Sequence, residues 1–347
     1  MREAFFNNRE LPLIIEPDSD ASVSHLKKWL SNNHASFLQK FYRHGAVLFR
    51  GFQADTPALF EEVALTVDAN LNNDYLGTSP RDRVAGTTFV FSASELPGYY
   101  PIMQHCEMSY MTRPPVKLFF YCDVEPDYGG ETPVCNFRKV YEQMDKNIRD
   151  EFDRKGVLTV RNYSGLNGSG KFNLWELKSW DKIFLTTDKA EVERQCRANE
   201  MDFEWKENGN LKITHLTPAA KKHPVTNETT WFNHLQVFHP QGGLVEYEHI
   251  HARQQRVKTF LWAAFLKIMV PLKNRTASPA DQSMNVLFGD GTPVPAAYVR
   301  HVEEVIWKNM LIFPWKKNDI LAIDNFSTSH GRLPFEGKRR IMVCWSC

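Results

Sequence analysis

The sequence predicts a mainly β protein: a β-barrel or jelly roll decorated by helices. Three observations carry this. Short runs rich in β-branched and aromatic residues crowd residues 86–136 and return at 318–347. Helical periodicity fills the N-terminal part and much of the stretch between those β regions. No linker rich in Gly, Ser or Pro and no internal repeat divides the chain. The expectation is one elaborated domain over residues 1–347, with a helical and mixed insertion at about 140–310.

In chain order, residues 22–44 carry apolar positions at helical spacing and read as two short helices. GAVLFRGF (45–52) reads as a buried strand. TPALFEEVALTVDA (56–69) is helical, with Thr56 as N-cap. TTFVFSAS, KLFFYCDVE and TPVCNF are strands divided by Pro and Gly turns. VYEQMDKNIRDEFDRKG (140–156) returns to helix and stops at Gly156. VLTVRNYS is a strand, and a polar, mixed region from about 164 to 230 holds a helix at 188–200. PAAYVRHVEEVIWKNM (295–310) is an amphipathic helix. The last strands are NDILAIDNF (318–326) and RRIMVCWSC (339–347).

Composition excludes several classes. The 42 basic residues balance 41 acidic ones without like-charge blocks, so neither nucleic acid nor a membrane is an expected partner. The N-terminus lacks the pattern of a secretory signal. The longest apolar stretch, FLWAAFLKIMVPL (260–272), is too short and interrupted to span a bilayer. Six cysteines, four scattered and two in the C-terminal CWSC (344–347), read as reduced thiols in a cytoplasmic protein, with a metal or redox role for Cys344 and Cys347 a minor alternative.

Chemistry enters at QHCEMSY (104–110). On a strand, residues two apart face the same side, so His105 and Glu107 would present an imidazole and a carboxylate together, with Cys106 opposite. The pair alone is weak, and the chain holds decoys. His301 and Glu303 lie on a helix, where residues two apart diverge, and His249 and His251 sit against a helix-like segment. Weight comes from DNFSTSHGRLPFEGKRRIMVCW (324–345). A third ligand from His330 would complete a two-histidine, one-carboxylate face on an octahedral metal. Three positions would stay open, as suits non-haem Fe(II).

HCEMSY, YGGETP and HGRLPFEGKRRI, in this order, resemble the TauD/TfdA family of Fe(II)/2-oxoglutarate-dependent dioxygenases, in particular its clavaminate-synthase-like and SyrP-like branch, whose acidic ligand is Glu. GAVLFRGF and FPWKKNDILAIDN extend the likeness over most of the chain. The resemblance implies a double-stranded β-helix (cupin-like jelly roll), with iron held by His105, Glu107 and His330. It also implies 2-oxoglutarate and O2 as cosubstrates. Arg340 would receive the distal carboxylate of 2-oxoglutarate with help from Thr132, since a planar guanidinium offers a carboxylate two parallel donors. Arg339 is the neighbouring rival, and only one of the two can face inward. Glu107 argues against halogenation, because related halogenases lack the carboxylate ligand.

Sulfonate-binding members carry a second arginine further along the same strand. Cys344 stands there here, so taurine is not expected. By analogy the substrate is an amino acid or derivative in secondary-metabolite (antibiotic) biosynthesis, free or tethered to a carrier protein. Hydroxylation leads, with desaturation or cyclisation as alternatives. Candidate substrate contacts are Ser79, Pro80, Arg81, Ser109, Tyr110 and the WFNH run with Asn233, against the bland readings of a surface arginine and a turn-capping asparagine. Arg332 braces Glu336 or a carbonyl, and FGDGTPV (288–294) is a turn. A binding or regulatory protein with the same fold, and a cupin-type enzyme built on His249 and His251, are the competing classes.

Overall fold

KLFFYCDV (Lys117–Val124) is apolar almost throughout because both faces of its strand are covered. Leu118, Phe120 and Cys122 enter one core, Phe119 and Tyr121 another. In the computed structural model, which describes residues 1–347 apart from 8–9, 74–80, 95, 167–176 and 178, this strand lies inside an eight-stranded sheet. Its antiparallel neighbours are Ile320–Asp324 and Arg340–Ser346, and the sheet runs outward through Ala46–Phe49, Leu13–Glu16 and Arg2–Ala4.

One face is covered by the helices Val23–Asn32, His34–His44 and Pro57–Val67, through Leu26, Leu30, Phe37, Phe41, Phe60 and Val63. Ser22 and Thr56 accept from backbone N–H groups in their first turns. Gly45 ends the second helix at φ 76°. A Cβ there would lie 2.2 Å from Thr328 Oγ1, so the close approach of this turn to the strand Thr328–Arg332 needs glycine. The other face meets a four-stranded sheet ordered Met310–Leu311, Val134–Asn136, Thr328–Arg332, Ile102–His105. Val134, Phe313 and Trp315 pack there with Leu118, Phe120, Ile341 and Val343. Two sheets facing across an apolar layer, with helices outside, make the mainly β jelly-roll core that the strand pattern predicts.

Between the two halves lies a second antiparallel sheet, ordered Asp202–Trp205, Leu211–Thr217, Val157–Tyr163, Met284–Phe288. Trp180, Trp231, Phe232, Phe288 and Val299 pack around it. Sequence reasoning leaves the first two of those strands inside a polar, mixed region. LKITHLT alternates buried with less buried residues, and its polar members mask the alternation. The helix expected over 140–156 is two helices, Phe137–Gln143 and Lys146–Lys155. The Asp145 side chain caps the second. Residues 260–272 belong to the 20-residue helix Val257–Thr276, and no helix among the described residues is long and apolar enough to cross a membrane.

Arg50 and Asp319 join the ends of the strands Ala46–Phe49 and Ile320–Asp324 with two parallel hydrogen bonds, at 3.0 and 2.5 Å, both side chains being buried. Removing one partner strands a buried charge. Asp319→Ala is therefore expected to lose about 3–5 kcal/mol in urea denaturation, while the double variant Arg50→Met/Asp319→Leu should lose far less.

Candidate active site

The site starts from one strand pair. Ile102–His105 runs antiparallel to Thr328–Arg332 with His105 directly opposite His330, and the two rings stand 4.4 Å apart. Glu107 does not share the strand. The chain leaves it after His105 and turns through residues 106–111, with Met108 at φ 53°. The strand-alternation argument for pairing His105 with Glu107 is therefore corrected: a turn, not the pleat, swings the carboxylate in. Asn325 holds that turn. Its side-chain oxygen accepts from the Glu107 N–H at 2.7 Å, and its amide donates to the carbonyls of Glu107 (3.0 Å) and Pro115 (2.7 Å).

As a result Glu107 Oε2 lies 3.7 Å from His105 Nε2 and 3.5 Å from His330 Nε2. The three donor atoms fall within 4.8 Å of one another. His105 Nδ1 donates to the Met103 carbonyl at 2.8 Å, which turns the Nε2 lone pair toward its neighbours. Burial pushes the Glu107 carboxyl up, but Arg81, 3.1 Å from Oε2, and the two imidazoles outweigh it and hold the group well below the usual carboxylate range. Burial, then His105, pushes His330 down to about 4, so its imidazole is neutral, as a ligand must be. Two imidazoles and one ionised carboxylate, converging on one point, suit a divalent ion.

The triad opens into a cavity of about 200 Å3 walled by Leu96, Ile102, Phe120, Val237, Phe238 and Ile341. Arg339, not Arg340, lines it, and the expectation for Arg340 is corrected. Arg340 is 64% exposed in its side chain and ion-paired with Asp123 on the far side of the strand. Arg339 stands just before the strand Arg340–Ser346, whose register with Lys117–Val124 shifts between 340 and 341, and it lines the cavity together with Ile341 while Arg340 does not. The corresponding sulfonate position moves to Val343, again not an arginine, and packed in the core. Arg339 donates to the Gly130 carbonyl at 2.9 Å and to Thr132 Oγ1 at 3.3 Å, both neutral. Burial, then Arg332, lowers its guanidinium to about 9. Thr132 Oγ1 also accepts from Trp315 Nε1 at 3.0 Å, which leaves its own proton to donate.

The remaining candidates divide. Arg81 and Tyr110 line the cavity. Ser109 is buried behind it, its Oγ 2.6 Å from Nδ1 of His234. Asn233 does not reach it: its amide donates to the Ala219 carbonyl and its oxygen accepts from the Leu235 N–H, so its work is to hold a turn. Ser79 and Pro80 lie outside the described residues. Arg332 grips carbonyls, not Glu336, donating to Leu96, Pro97 and Tyr100. The decoys have other occupations. His249 stacks on Trp307, His251 meets Thr259, and His301 accepts from the Asp145 N–H. Cys344 is buried in the core, whereas Cys347 is exposed. FGDGTPV forms a turn away from the cavity. Of the WFNH run it is His234 that lines the cavity, 5.4 Å from His105 ring to ring. Sequence reasoning missed Asn325, whose local sequence does not separate it from any other buried polar residue.

A jelly roll carrying two imidazoles and a carboxylate at the base of an apolar cavity is the architecture of a mononuclear non-haem metalloenzyme. The family described as "Taurine catabolism dioxygenase TauD, TfdA family" matches residues 7–345, and the chain belongs to that family, as an Fe(II)/2-oxoglutarate-dependent dioxygenase. It is 30% identical to the dapdiamide synthesis protein DdaC of Enterobacter agglomerans, over 95% of this chain and 89% of the other. It is 28% identical to the clavaminate synthase-like protein At3g21360 of Arabidopsis thaliana, over 99% and 95%. The fold is also that of PvcB from Pseudomonas aeruginosa, at a TM-score of 0.51 and 12% identity over 98% of this chain and 87% of that one.

Asn325→Ala should free the Glu107 turn and lower affinity for Co(II) or Mn(II) by about 10–100-fold in an anaerobic titration. An unchanged affinity would remove Asn325 from the support of the site.

Proposed function

We propose that this dioxygenase hydroxylates an unactivated C–H bond of an amino-acid-like small molecule, with His105, Glu107 and His330 holding Fe(II). Arg339 and Thr132 would seat the distal carboxylate of 2-oxoglutarate. One observation carries the reading: three metal-type donors share one cavity with a guanidinium whose hydrogen-bond partners among the described residues are neutral. When bound, iron and 2-oxoglutarate together activate dioxygen for C–H cleavage. The chain's own groups do the rest. Glu107 supplies the negative charge of the metal face, and Arg81 orients that carboxylate. Arg339 offers two parallel N–H donors to a carboxylate, and Thr132 a third donor. Leu96, Phe120, Val237 and Phe238 keep water from the reacting carbon. Desaturation and ring closure begin with the same C–H cleavage.

A biosynthetic setting is supported by DdaC, whose name assigns it to dapdiamide synthesis. Action in the reducing cytoplasm is supported by six free thiols. One surface favours a second reading, in which the substrate arrives on a carrier protein. The helix Val257–Thr276 exposes Val257, Leu261, Ile268 and Leu272, carries Lys258, Lys267, Lys273 and Arg275, and has no acidic residue. Its Trp262 stacks on Tyr99, in the loop that supplies Ser94 and Leu96 to the cavity. An acidic carrier would find both apolar area and opposite charge beside the entrance.

Anaerobic addition of Fe(II) and 2-oxoglutarate should give a weak visible charge-transfer band. Arg339→Ala should weaken 2-oxoglutarate affinity about 10–100-fold, the worth of a charge-assisted pair. Arg340→Ala should stay within about twofold, as suits a surface ion pair. The reverse ranking would return the cosubstrate to Arg340. No band in the wild type would end the proposal.

A further inference from the structure

The sheet inserted between the two halves of the metal site carries a charge that the chemistry above does not use. Arg161, on the strand Val157–Tyr163, is 4% exposed. No carboxylate is paired with it among the described residues. Nη2 lies 3.2 Å from the Met201 sulfur, and the guanidinium sits over the Tyr110 ring at 4.8 Å and near Tyr163 at 6.0 Å. Its Nε and the neighbouring Tyr163 hydroxyl are both buried without hydrogen-bond partners. A thioether and two ring faces return only part of the hydration that a buried cation gives up. An unused N–H on a buried guanidinium is thus a demand for an acceptor, and an anion meets it best.

The surroundings show where an acceptor would sit. Arg161, Gln195, Asn199, Met201 and Tyr110 line a second cavity of about 30 Å3, room for about two water-sized groups and so for a carboxylate. Tyr110 is also a wall of the active-site cavity. From it the path to the metal face is short: Tyr110 meets His234 edge-on at 4.9 Å, and His234 stands 5.4 Å from His105. We propose that Arg161 is the recognition residue for a carboxylate on the prime substrate. The acid end lies past Tyr110, in the cavity under the inserted sheet, while the reacting carbon lies over His105, Glu107 and His330. This deepens the oxygenase reading and rests on it: the substrate class becomes a free acid whose carboxylate is bound away from the iron, not an acid masked as a thioester at that end. It also gives the insertion a task, since the strand that carries Arg161 belongs to it.

The test uses the anaerobic Fe(II)–2-oxoglutarate complex, with free L-amino acids and their methyl esters as matched probes, and follows perturbation of the charge-transfer band on binding. In the wild type at least one acid should bind ten-fold or more tighter than its ester. Arg161→Met should erase that preference while keeping the band. Arg161→Lys, which keeps the charge and loses the paired donors, should fall between. A wild type that prefers no acid over its ester overturns the proposal, as does an Arg161→Met protein that keeps the preference. Should the Met variant fail to fold, the wild-type comparison and the Lys variant decide. Failure of the underlying reading looks different, because the wild type would then show no band at all.

Discussion

The structure depends on one cross-strand pairing. His105 and His330 face each other only because Ile102–His105 and Thr328–Arg332 run antiparallel in that register. A slip of one residue would send one imidazole to the opposite face and leave the carboxylate with half a site. The register is held by side chains around it. Gln104 donates to the Pro133 carbonyl, and Ser329 donates to Gln104 at 2.6 Å. Asn325, in the turn just before the second strand, binds the Glu107 backbone from both sides. The proposed metal face is therefore built from two distant pieces of chain tied together by side-chain hydrogen bonds.

Around this face the protein places several arginines, and their partners decide what each can do. Arg81 meets the Glu107 carboxylate and so belongs with the proposed metal face. Arg332 is consumed by backbone carbonyls and fastens the loop that brings Leu96 to the cavity wall. Arg340 is matched by Asp123 at the surface. Among the described residues, Arg339 and Arg161 make their side-chain contacts to neutral groups. A buried cation without a counter-charge is costly in an empty protein and useful in a loaded one, because the ligand supplies the missing charge. The same logic separates the arginines proposed to bind ligands from those that brace the fold.

Much of the scaffold is legible in the sequence because burial on both faces leaves unbroken apolar runs. KLFFYCDV, AVLF and ILAID fall on central strands for this reason. The strands Asp202–Trp205 and Leu211–Thr217 are not legible. Each is half exposed, carries Glu, Lys, Thr or His at alternate places, and becomes a strand through its partner. Within the site the residue types announce themselves, but their directions do not. Glu107 reaches the imidazoles by a turn, Asn233 turns away to a backbone carbonyl, and Arg339 takes the place expected of Arg340. Adjacent arginines carry identical chemistry, and only their directions at the start of the strand Arg340–Ser346 separate them.

The amino-acid sequence by itself determined the class of fold, the family and the kind of chemistry, because apolar periodicity and the order of HCEMSY, YGGETP and HGRLPFEGKRRI are local and one-dimensional properties. Only the tertiary structure decided which arginine enters the cavity, what holds Glu107 in place, and that Arg161 lies buried beside Tyr110 with no counter-charge among the described residues. Those are facts of direction and distance between residues far apart in the chain, and they exist only once strand register and turn geometry have been set by packing.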